Sequence, residues 1–210
     1  MKSTCMFVLL AACAATPPSS DSPSFASVHA RLAAAPTQLF VATTLDAGTL
    51  GAEHYTGSGW QSGSASLSIS SGAFVASLDG SGELVVSTFD VSFDPIDVPE
   101  SVFGSPAQLT GVRLQLPAPA SAAATWSDAD DATASVPVEL SLSWALSVNG
   151  GTLPLGAQTL PAMPLDVALS GDGATVAAAL ALHANGELWQ WADLLKLTEL
   201  DLTASAETTE

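Results

Sequence analysis

The dominant pattern along this chain is alternation. Val136, Val138, Leu140, Leu142, Trp144, Leu146 and Val148 fall at every second position, with Pro137, Glu139, Ser141, Ser143, Ala145 and Ser147 between them. A period of two sends successive side chains to opposite faces of a strand, so this run predicts one apolar face and one wet face. At about 3.3 Å per residue an unbroken strand of this length would reach about 43 Å, longer than ordinary sandwich strands, which predicts a bend or bulge within it. Pro137 has no N–H for a ladder and belongs at an edge or a strand start.

The same grammar recurs elsewhere. Val85, Phe89, Val91 and Phe93 alternate with Thr88, Asp90 and Ser92; Val112, Leu114 and Leu116 alternate with Arg113 and Gln115; Leu165, Val167 and Leu169 alternate with Asp166 and Ala168. Asp79-Gly80, Asn149-Gly150-Gly151, Asp172-Gly173 and Asn185-Gly186 stand between strand candidates, where tight primed turns need residues that accept positive φ. Together these signals predict about nine or ten strands over residues 37–210, forming a single domain. Alternation of this kind marks one-sided antiparallel sheets, and no amphipathic helix of useful length interrupts it. The expected fold class is all-β: an antiparallel β-sandwich or flattened barrel with no long helix. A membrane-spanning barrel would carry aromatic girdles, and a single tyrosine, Tyr55, with 6% aromatic residues argues against one.

Composition narrows the partners. Of 210 residues only 12% are charged, and 21 Asp and Glu face four Lys and Arg, a formal net charge of −17. Nucleic acid and anionic lipid surfaces are bound through clustered Lys and Arg, and Lys2, Arg31, Arg113 and Lys196 make no cluster. With 48% hydrophobic residues the chain is not compositionally disordered. Ser, Thr and Ala on the wet faces solvate a sheet without ions, so the acidity reads as a solubility device for exposed strands.

The first residues carry an address. Lys2 followed by the apolar run Cys5-Met6-Phe7-Val8-Leu9-Leu10-Ala11-Ala12 has the form of a signal peptide over residues 1–12 and is too short to span a bilayer. Leu10-Ala11-Ala12-Cys13 resembles the lipobox of bacterial lipoproteins, in which the cysteine is acylated and becomes the mature N-terminus. That resemblance, confined to the leader, implies a lipid anchor on Cys13, membrane attachment through it, and an outer-membrane lipoprotein on the periplasmic or surface face. The alternative is ordinary secretion after cleavage at Ala12-Cys13-Ala14. Cys5 and Cys13 are the only cysteines, so the body has neither disulfides nor a thiolate metal site. Residues 13–36, with Pro17, Pro18, Pro23 and Pro36, read as a Pro/Ser-rich tether, in which a short helical turn near residues 28–35 is a minor alternative.

Candidate chemistry is sparse. His29, His54 and His183 show no ligand spacing, and Gly57-Ser58-Gly59 and Gly80-Ser81-Gly82 do not form a nucleophile elbow. Asp79 to Glu83 superficially resembles part of an EF-hand loop but lacks its first and twelfth ligands. Asp128, Asp130 and Asp131, behind Trp126, would be the candidate Ca²⁺ ligands, with a solvated acidic loop as the plainer reading. Trp189 and Trp191 share one strand face and would either stack a sugar ring or plug the core, while Trp144 continues a core face. Small inward residues such as Ala178 would leave an apolar cavity for a lipid-like ligand. The leading expectation is a non-catalytic binding or structural module of the bacterial cell envelope. The alternatives are a carbohydrate-, calcium- or apolar-ligand-binding module, or a hydrolase with two dispersed carboxylates. No cofactor other than Ca²⁺ is suggested.

Overall fold

A computed structural model describes the backbone of residues 27–34, 38–171 and 175–208, and the side chains of those residues apart from 34–47 and 208. Within them the chain forms α1 (Val28–Ala34), β1 (Gln38–Tyr55), β2 (Trp60–Ser66), β3 (Ile69–Leu78), β4 (Glu83–Phe93), β5 (Ile96–Val98), α2 (Glu100–Phe103), β6 (Ala107–Gln115), β7 (Ala120–Ala123), β8 (Thr125–Trp126), β9 (Asp131–Val138), β10 (Ser141–Val148), β11 (Gly151–Thr159), β12 (Met163–Gly171), β13 (Val176–Trp191) and β14 (Leu195–Thr208). These fourteen described strands, against the nine or ten expected, form two antiparallel sheets of seven that do not close into a barrel, a β-sandwich.

The first sheet runs β11-β10-β6-β4-β3, with β5 beside β6 and β7 beside β4; the second runs β2-β1-β14-β13-β12-β9-β8. The start of β1 also pairs with β3, from Gln38 opposite Ala76 to Val41 opposite Ala73, so the ladder folds over from one layer to the other. Buried positions alternate with exposed ones in β9 and β12 and with half-buried ones in β10, placing every second side chain between the layers.

The long alternating run from Val136 to Val148 is two strands in opposing sheets. It breaks at Glu139 and Leu140, where β9 of the second sheet hands over to β10 of the first, and Leu140 stays fully buried at the crossing. Pro137 of β9 lies opposite Pro164 of β12, and neither β8 nor β13 continues its ladder to that position. Two residues without N–H groups thus face each other where neither owes a hydrogen bond.

Turn chemistry matches the expectation in part. Asn149 at φ 50° and Gly150 at φ 79° make the primed turn between β10 and β11. In the β3–β4 hairpin the positive φ falls on Gly82, not Gly80, and the Asp79 carboxylate accepts from the N–H groups of Ser81 at 2.8 Å and Glu83 at 2.9 Å. Asn185-Gly186 makes no hairpin: β13 runs through it with a bulge between Asn185 and Trp189, while the turn before β14 falls at Ala192 and Asp193. Asp172-Gly173 lies outside the described residues.

Part of the segment expected to be tether, residues 28–34, is helical. This helix, α1, packs against β3 and β12 with Val28 1% and Leu32 0% exposed. Two apolar residues four apart present one helical stripe, and burying them outweighs the weak helix-forming tendency of seven residues. Gly171 permits the approach, because a Cβ there would lie 2.5 Å from Val28 Cγ2. The cavity expectation is answered in the core itself. The short inward residues Ala132, Ala178 and Ala206 are all buried. Deeper in, the apolar void bounded by Ile69, Phe89, Leu165, Leu182 and Leu202 is about 10 Å³, the size of one water and far too small for a lipid-like ligand.

Candidate functional site

Strand β13 measures the molecule from end to end. Its first residue, Val176, is opposite Gly171 beneath α1, and its last, Trp191, is at the far hairpin, about 50 Å away at 3.3 Å per residue. The tryptophans and carboxylates singled out from the sequence divide between these two ends instead of converging.

At the α1 end, Asp128 Oδ1 accepts from the N–H groups of Asp130 at 2.7 Å and Asp131 at 2.8 Å, while Asp130 Oδ1 accepts from Val28 N at 3.3 Å. His29 N donates to Ala129 O at 3.2 Å and the His29 ring stands edge-on to Trp126, centroids 4.9 Å apart. The acidic loop is thereby the socket of α1. Asp128 and Asp130 are committed to backbone N–H groups, and no three His, Cys, Asp or Glu side chains among the described residues gather as metal ligands.

At the other end the outcome for Trp189 and Trp191 is split. Trp189 lies opposite Leu197 and Trp191 opposite Leu195, both buried leucines, so both rings are on the inner face. Trp189 packs edge-on against Trp144 of the facing sheet, centroids 5.0 Å apart at 70°, and joins the core; Trp191, at the rim, stays 36% exposed. Trp144 itself sits between two bulges, at Gly111 of β6 (φ 60°) and around Gly156 of β11 (φ 74°), each placing an extra residue opposite it. These conformations need glycine, and the local bend they impose accompanies the reach of Trp144 toward the second sheet. Its Nε1 is buried without a hydrogen-bond partner.

A surface that the sequence reading passed over lies on the outer face of the same end. The β1–β2 hairpin sets Tyr55 opposite Trp60, ring centroids 5.5 Å apart at 55°. Residues 56–59 close it, with Thr56 N donating to Gly59 O at 3.0 Å and Gly57 at φ 85°. Tyr55 N donates to Leu194 O at 2.9 Å, which ties this hairpin to the β13–β14 turn. Four of the five exposed large hydrophobic residues among those described, Tyr55, Trp60, Trp191 and Leu194, consequently share one end; the fifth, Leu153, is on β11.

Charge is organised around those rings. Lys196 Nζ lies 4.6 Å from the Trp60 centroid and donates to Glu187 Oε2 at 2.8 Å. That hydrogen bond, aided by attraction to Glu53 and Asp193, holds the ammonium above its ordinary 10.5 against the opposing pull of desolvation. Gln190 Nε2 donates to Asp193 Oδ1 beside it. Two aromatic residues flanking a Thr-Gly-Ser-Gly loop were the available sequence signal, because a hairpin of that length sets its flanking residues face to face.

The chain matches no family model, no curated protein and no solved structure.

The remaining candidates are dispersed. His54 is directed inward, its Nδ1 donating to Val102 O at 3.1 Å with the ring 4.6 Å from Phe103, while His183 pairs with Asp201 at 2.8 Å on the outer face. A groove of about 440 Å³ on the second sheet has Asp131 and Glu207 on opposite walls, separated by β12 and β13. Three interstrand steps of about 4.8 Å put their backbones about 14 Å apart. Cys13 lies outside the described residues.

Proposed function

We propose that this chain is an exported, lipid-anchored β-sandwich acting as a non-catalytic binding or structural module of the bacterial cell envelope. In this reading Cys13 carries the acyl chains, and the residues between it and Ser27 are the tether. The observation that carries it is the concentration of four of the five exposed large hydrophobic residues among those described at the end of the sandwich farthest from α1. A soluble domain seldom leaves rings exposed together without a use for them, and a tether entering at α1 turns that end away from the membrane.

The anchor is tested by Cys13→Ser. The variant is expected to move from the membrane fraction to the soluble fraction while its melting midpoint stays that of the wild type. Unchanged membrane association would overturn the anchor.

A further inference from the structure

We propose that the outer face of the second sheet, at the end away from α1, is a binding lane for a neutral glycan chain, with Tyr55 and Trp60 as its stacking platform. This deepens the binding-module reading and rests on it.

Register defines the lane. Below the Tyr55 and Trp60 rung, β1 next presents Glu53, with Ser62 of β2 on one side and Lys196 of β14 and then Gln190 of β13 on the other. The following rung sets Ser64, Gly51 and Glu199 in line, and the next Ser66, Thr49, Asp201 and His183. Outward rungs on a strand are about 6.6 Å apart, so three of them below the aromatic pair extend the lane by about 20 Å, room for several pyranose rings. In the middle of it the Glu199 side chain lies over the buried Gly51, where a Cβ would come 2.7 Å from Glu199 Cβ and 3.1 Å from its Oε2, so Glu199 itself is the group presented there.

The chemistry selects the occupant. A pyranose has an apolar C–H face that stacks on an aromatic ring and a rim of hydroxyls that both donate and accept, which calls for rings beside mixed carboxylate, amide, ammonium and hydroxyl groups. Tyr55 and Trp60 remain 38% and 37% exposed, and the Lys196 ammonium, 4.6 Å from the Trp60 centroid, takes one face of that ring and leaves stacking to its opposite face and to Tyr55. Acidic glycans and anionic head groups meet Glu53, Glu187, Glu199 and Asp201 against Lys196 alone, in a chain of net charge −17. A basic peptide is less well matched, since Glu187 is already paired with Lys196 and Asp201 with His183.

The test is isothermal titration of the folded protein with cello-, manno-, malto- and chitohexaose, with a polygalacturonate oligomer and an oligolysine peptide as the acidic and basic arms. At least one neutral hexasaccharide is expected to bind with a Kd below about 1 mM. Trp60→Ala and Tyr55→Ala are expected to weaken it about tenfold or more, Trp60→Phe less, and Leu153→Ala on the other sheet less than about twofold. Absence of binding by all four neutral probes, binding indifferent to Trp60→Ala, or a preference for either charged arm would each overturn the proposal. Failure here with Cys13→Ser still releasing the protein from membranes would remove the lane and leave the anchored module standing.

Discussion

The two ends of this sandwich are built from the same materials and used differently. At one end Trp126 stands beside the carboxylates of Asp128, Asp130 and Asp131; at the other Trp60 stands beside those of Glu53, Glu187 and Asp193. The first group is covered, because α1 brings His29 onto the Trp126 ring and sets Val28 N on Asp130. The second has no helix seated on it among the described residues, and its rings remain more than a third exposed. Residue type alone therefore does not separate a structural socket from a binding surface; whether another piece of the same chain arrives to occupy it does.

The largest expected contrast between the ends comes from deleting one leucine at each. Leu32 is fully buried in α1, so Leu32→Ala is expected to cost about 2 to 4 kcal/mol, transfer free energy plus the cavity left behind. Leu194 is 42% exposed at the far hairpin, and Leu194→Ala is expected to change stability by less than about 0.5 kcal/mol. Urea unfolding of both variants measures this. Equal, small effects would mean that α1 does not close its end in solution.

A steric cycle sharpens the same point. Gly171→Ala sets a methyl group 2.5 Å from Val28 Cγ2 and is expected to cost about 1 to 3 kcal/mol by overpacking. Combining it with Val28→Ala removes the clash, so the double variant should be more stable than the sum of the two single losses predicts. Strict additivity would place α1 away from Gly171.

How far the sequence disclosed this arrangement follows from the range over which each signal acts. Alternation is local, so fold class and the inward faces of β9, β10 and β12 were legible from residues two apart. The break at Glu139 and Leu140 was legible only as a length problem, because alternation persists across it while the strand changes sheets. Asn185-Gly186 has the composition of a primed turn, but long β1 and β14 hold β13 in register through it, and the positive φ of Gly186 (113°) is absorbed in a bulge. The helix was legible only as a minor alternative over residues 28–35, because neighbouring prolines and alanines favoured a tether; its long-range fit to Gly171 and Asp130 decides for it. Trp189 and Trp191 shared a strand face as expected, but which face depended on partners in β14 that no local pattern names.

At the aromatic end, backbone strain offers a gain where the α1 end offers losses. Ala192 and Asp193 both have positive φ, 48° and 53°, in the two-residue turn that carries Trp191 and Leu194, and alanine is ill suited to that region. Ala192→Gly removes the Cβ conflict and is expected to leave the protein about 0.5 kcal/mol more stable, the relief exceeding the added flexibility of the unfolded chain. A lower midpoint in urea would mean that the turn adopts another conformation.

The smallest effect concerns the charge over the Trp60 ring, and its sign follows from the raised titration of Lys196. A group whose folded pKa lies above its unfolded value contributes stability that is fully present below the unfolded value, here 10.5, and lost as pH rises through the folded one. Lys196→Met keeps a stem over the Trp60 ring and removes only the ammonium. The stability difference between wild type and variant is therefore expected to be level between roughly pH 6 and 9 and to shrink above the ordinary lysine range. Added salt should shrink it at neutral pH too, since the pair with Glu187 is near the surface. A difference that instead grew with pH would mean that the ammonium is strained where it stands, and that Lys196 is held over Trp60 by the fold at a cost, as a group kept ready for a ligand would be.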